Sequence, residues 1–93
     1  MLYKMTEWKS ASGKWYCNCV DDLAGTAGLW QTPARILDLT PAAYVKFVVE
    51  HYHPDVYYNE EKCLVFFSWK DQSQMREFKR FINKKAREKN FQI

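Results

Sequence analysis

A chain of 93 residues with a net charge of +3, 17% aromatic and 27% charged residues is one domain, spanning residues 1–93, with too little material for two cores. The aromatic content excludes a disordered tail, and the longest apolar run, Cys63 to Phe67, is far shorter than the roughly 20 residues a membrane-spanning helix needs. Three cysteines cannot close into a full set of intrachain disulfides, and the N-terminal stretch turns polar after a few residues, so a reducing, cytoplasmic setting is expected.

Residues 2–9 and 14–20 read as a β-hairpin, with β-forming residues on alternate positions and Gly13 in the turn. Alternation puts Trp15, Cys17 and Cys19 on one face and Tyr16, Asn18 and Val20 on the other. Residues 21–33 hold two glycines, two aspartates and a proline, and are expected as a loop with at most one helical turn. A helix opens at Thr40-Pro41: the threonine caps free N–H groups, and proline at the first helical position forfeits a donor that had no partner. Tyr44, Phe47, Val48, His51 and Tyr52 follow helical spacing and are expected to face inward. His53 precedes Pro54, which drives it out of the helical region and ends the helix.

A second hairpin follows, with Asn59-Glu60-Glu61-Lys62 as its turn, Tyr58 opposite Cys63 and Val56 opposite Val65. Its second strand is apolar on both sides and is expected to be covered on both. Asp71 and Gln74 make a capping-box pattern for a last helix whose apolar stripe is Met75, Phe78, Phe81 and Ile82. Lys85 falls in that stripe, so either the helix has outrun the core or the lysine snorkels. The order is ββαββα, an α+β fold with an antiparallel sheet of two β-hairpins and two helices.

Cys17, Cys19, Cys63, His51 and His53 are all the cysteines and histidines of the chain. Cβ atoms two residues apart on a strand face are about 6–7 Å from each other, too far for a relaxed disulfide. A metal spans that gap. Cys17, Cys19, His53 and Cys63, with His51 as the alternative fourth ligand, would make a tetrahedral N/S site suited to one structural zinc ion. The competing reading, and the favoured one, is that the thiols pack as small hydrophobes. No Gly-rich phosphate loop or paired-carboxylate motif appears, and a Cys–His nucleophile would need an orienting group and an oxyanion hole. A non-enzymatic protein is expected.

Seven of the 14 Lys and Arg lie between Arg76 and Lys89, against Glu77 and Glu88. Arg76, Lys79, Arg80, Lys84 and Arg87 form a basic face able to pair with acidic side chains of a protein partner or with phosphates, against the plain alternative of a solvated helix face. The strand "CLVFFSW" shares aromatic residues with the central strand of RNA-recognition domains but lacks their glycines and their element order.

The pattern over residues 30–91, "TPARILDLTPAAYVKFVVEHY" and "CLVFFSWKDQSQMREFKRFINKKAREKNF" in particular, resembles small stand-alone proteins of bacterial phages and mobile elements, among them the anti-CRISPR inhibitors. The resemblance carries no catalytic motif. It implies an inhibitor in the cytoplasm of a bacterial host, whose partner is a type II CRISPR-Cas effector nuclease blocked in DNA loading or cleavage. The alternative is a small nucleic-acid-binding accessory protein that uses its basic C-terminal helix.

Overall fold

A computed structural model describes residues 2–19, 31–59 and 64–92. Strands β1 (Met5–Lys9) and β2 (Trp15–Cys19) are followed by helices α1 (Gln31–Ile36) and α2 (Pro41–Tyr52). Strands β3 (Asp55–Asn59) and β4 (Leu64–Ser68) and helix α3 (Gln72–Glu88) complete the order. The fold is α+β, as the residue pattern indicates, with one added helix. That helix, α1, begins inside the stretch expected as loop. Its Pro33 costs nothing there, because the first N–H groups of any helix lack intrahelical acceptors. The expectations for residues 20–30 lie outside the described residues.

Each hairpin is its own two-stranded antiparallel sheet. Among the described residues one antiparallel bridge joins them, with Trp15 N–H donating to the Trp69 carbonyl at 2.7 Å and Trp69 N–H to the Trp15 carbonyl at 2.9 Å. The pairing of β3 and β4 differs from expectation: Tyr58 faces Val65 and Val56 faces Phe67, with Asn59 drawn into the ladder opposite Leu64. The shift is two residues, so every side chain keeps its face. Residues 60–63, Cys63 among them, lie outside the described residues. On β4, Phe66 and Phe67 point to opposite faces and each is half-buried. Phe66 packs beside Tyr57 at 6.2 Å, and Tyr57 is 59% exposed.

The core is aromatic. Phe78 of α3 lies 5.3 Å from Trp69, 5.3 Å from Tyr52 and 6.3 Å from Phe67, ring centre to ring centre. Tyr3, Tyr44, Val48, Ile36, Met75 and Ile82 close the cluster, and the Trp69 indole N–H donates to the Tyr52 carbonyl at 2.8 Å. Such ring pairs add roughly 0.5–1.5 kcal/mol each beyond burial, which suits a chain too short for a large aliphatic core.

Helix ends follow local chemistry. The Thr40 hydroxyl accepts from Ala43 N–H at 3.2 Å, with Pro41 at the first helical position. Asp71 caps α3 by accepting from the Ser73 N–H and hydroxyl at 2.8 and 2.7 Å. His53, before Pro54, leaves α2 in the left-handed region at φ 52. Helices α1 and α3 end in the same way: Leu39 N–H bonds the Ala34 carbonyl behind Asp38 (φ 56), and Phe91 N–H bonds the Ala86 carbonyl behind Asn90 (φ 48). Both are six-to-one Schellman closures.

The inward placement of His51 is corrected. It is exposed, its ring stacked on Phe47 at 4.4 Å and its Nδ1 2.9 Å from the Phe47 carbonyl oxygen. Phe47 lies between it and Phe81, while Tyr52 turns onto Phe78 in its place. Lys85 snorkels: its ammonium sits 5.9 Å from the Phe81 ring centre and 3.5 Å from Glu88, and Ala86 beside it is fully buried, so the helix has not outrun the core.

Candidate functional site

Helix α3 presents the candidate surface, and β1 fixes how much of it is available. The N-terminal segment runs antiparallel along the helix. Tyr3 N–H donates to the Phe91 carbonyl at 2.9 Å. Asn83, a buried amide, accepts from Met5 N–H at 2.7 Å and donates to the Met5 carbonyl at 3.3 Å. Two turns earlier, Glu7 takes a fork from Arg76 (Nε to Oε2 at 3.1 Å, Nη2 to Oε1 at 2.8 Å) and a third bond from Lys79 at 2.8 Å. These bonds hold the Glu7 carboxyl down at about 2, against an ordinary 4.5, because each stabilises the ionised form. The same fork raises Arg76.

The five basic residues therefore divide. Arg76 and Lys79 are bound to Glu7, with Lys79 only 22% exposed. Arg80, Lys84 and Arg87 are exposed and, among the described residues, have no carboxylate within ion-pair distance. They stand at i, i+4 and i+7, a ridge about 10 Å long at 1.5 Å per residue. The Glu7 clamp was not legible in the helix alone. Its signal was Glu7 itself, an acid on the strand face that also carries Met5.

Cys17 belongs to the core cluster, and burial pushes its thiol up to about 12, partly opposed by the charge of Lys79. His53 lies elsewhere, in the lining of a shallow cavity of about 150 Å³ with Asp55, Ser68, Trp69, Lys70 and Gln74. Asp55 stands opposite Ser68 in the ladder and 3.7 Å from Lys14. No hydrogen bond joins His53, Asp55 and Ser68 among the described residues. Cys63 and the side chain of Cys19 lie outside the described residues, and no group of three His, Cys, Asp or Glu arranged for a metal occurs within them.

On the first hairpin, Trp8 and Tyr16 face each other across the strands, rings parallel within 7° and 4.4 Å apart. Trp8 is 38% exposed. Among the described residues no helix is long and apolar enough to cross a membrane.

Fold and surface define a small α+β domain with a basic ridge on its longest helix. Comparison with protein families, with characterised proteins and with solved structures finds no match to this chain.

Proposed function

We propose that the chain is a small non-enzymatic binding protein, an inhibitor of the anti-CRISPR kind that engages a type II CRISPR-Cas effector nuclease in a bacterial cytoplasm and blocks DNA loading or cleavage. The observation that supports recognition is the ridge of Arg80, Lys84 and Arg87, displayed on α3 and, among the described residues, without a carboxylate within ion-pair distance. Cations so displayed favour an acidic partner surface and speed encounter with it. Exposed Trp8 and Tyr57 supply the residue types that carry interface energy.

A second reading, a nucleic-acid-binding accessory protein, is favoured by the same ridge, since phosphates satisfy unpaired arginines as well as carboxylates do.

The test is a cleavage assay with a guide-loaded type II nuclease and increasing amounts of this protein. A stable complex and loss of cleavage are expected, and Arg80→Glu/Lys84→Glu/Arg87→Glu should weaken inhibition by roughly tenfold or more, as loss of charge complementarity does. Normal cleavage at large excess over several such nucleases would overturn the inhibitor reading. A gel shift at low salt addresses the second reading separately.

A further inference from the structure

The outer face of the first hairpin carries chemistry that the basic ridge does not account for. Along the N-terminal segment Tyr3 and Met5 are buried while Lys4 and Trp8 are exposed, as strand alternation requires. The Trp8–Tyr16 stack sits on a paired ladder rather than a loop. Its orientation is therefore set before any ligand arrives. An indole left 38% exposed and parallel to a phenol offers a π-surface to a ligand ring.

The cations lie on the helix that the other face of this hairpin packs against. Asn83 and Arg76 touch β1 through Met5 and Glu7. At about 100° per residue, Arg87 and Arg80 follow Asn83 around the helix by roughly 40° and 60°, and Lys84 by roughly 100°. The ridge therefore flanks the N-terminal segment. Lys4 lies between the Tyr3 and Met5 contacts that tie this segment to the end of α3. From Lys4 to Trp8 is about 13 Å along the strand. Arg80, Lys84, Arg87 and Lys4 have no ion-pair partner among the described residues, and the aromatic stack lies one strand-length from Lys4.

We infer that this composite surface binds single-stranded nucleic acid, with phosphates on Arg80, Lys84, Arg87 and Lys4 and an unpaired base stacked on Trp8–Tyr16. The inference rests on the nucleic-acid reading above and adds strand type and a base contact to it. A positively charged track beside an aromatic platform is the arrangement that single strands require. In a duplex the base faces are already stacked and only edges are offered, so a flat ring pair gains nothing from it. Four cations favour a polyanion over an apolar protein surface.

Fluorescence anisotropy with a labelled 15-nucleotide oligo(dT) and a 15-base-pair duplex tests it at 20 and 150 mM salt. Binding of oligo(dT) should weaken with salt with a log–log slope of roughly −3, from four phosphate contacts at about −0.7 each. Trp8→Ala should weaken it by roughly 10- to 100-fold, the usual loss of one base–aromatic stack, and Trp8→Phe should recover most of that. Duplex affinity should not respond to Trp8→Ala. The melting temperature of each variant, read in parallel, confirms that it folds. If oligo(dT) and duplex both bind and neither responds to Trp8→Ala, the nucleic-acid reading survives and the stacking inference falls. If no oligonucleotide binds at 20 mM salt, both fall. Trp8-dependent capture of a nuclease without any oligonucleotide binding assigns the platform to a protein partner and likewise overturns the inference.

Discussion

Glu7 carries more of the architecture than its position in a short strand suggests. Its carboxylate takes three bonds from Arg76 and Lys79, and Asn83 holds Met5 two residues back, so β1 is fastened to α3 at two points. Glu7→Gln keeps the shape but removes the charge, leaving Lys79, 22% exposed, beside a neutral amide. A loss of about 1–2 kcal/mol is expected from charge-assisted bonds that are partly screened by solvent, read from chemical denaturation at pH 7. The pH dependence has a definite sign. The folded carboxyl titrates at about 2 and its ordinary value is 4.5, so the unfolded chain binds the proton first. The contribution is complete above about pH 5 and is lost as pH falls toward about 2. Glu7→Gln should therefore flatten the acid limb of the stability curve; an unchanged limb would mean that the clamp contributes nothing. The sequence already held Glu7, Arg76 and Lys79. What it lacked was the pairing of β1 with the helix, because residues about 70 positions apart are brought together only by the fold.

At the level of elements, what was legible was local. Thr40-Pro41 and Asp71 start their helices through bonds that reach two or three residues along the chain, and the pattern displays both. The β3–β4 register was not legible, since a four-residue connection fits either position and a two-residue shift leaves the same faces inward. Nor was the exposure of His51, which depends on Phe47 lying over Phe81. The helix ends illustrate the same limit. Asn90 at φ 48 and Asp38 at φ 56 close Schellman turns that no glycine announces. Lys89, at the end of α3, forms an ion pair with Asp38, at the end of α1, tying two C-termini to each other. Asn tolerates the left-handed region better than most residues, whereas alanine there costs about 1 kcal/mol or more. Asn90→Ala should lower stability by about that amount and Asn90→Gly should leave it level or slightly raised, both measured by thermal melting. Equal effects of the two substitutions would show that the backbone at this turn is not what stabilises it.

For the whole molecule, the question is what lets a 93-residue chain hold together two hairpins bridged at Trp15–Trp69. Two answers make opposite predictions. In the first, the aromatic cluster around Phe78, with Trp69 pinned by its bond to the Tyr52 carbonyl, suffices, and Cys17 is one of its small apolar members. In the second, a zinc ion held by Cys17, Cys19, His53 and Cys63 acts as a staple, and its binding energy is folding energy. The burial of Cys17 among Tyr44, Val48 and Ile82 favours the first. Protein purified without a histidine tag is then expected to carry no stoichiometric zinc in elemental analysis, and a strong chelator should leave its melting temperature unchanged. Cys17→Ala should cost about 1 kcal/mol, the small loss expected from trimming one buried heavy atom, with or without chelator. Stoichiometric zinc, together with a chelator-induced fall in melting temperature that Cys17→Ala abolishes, would reverse the assignment. Such a result would make the metal, and not the ring cluster alone, the reason so small a core holds two sheets together.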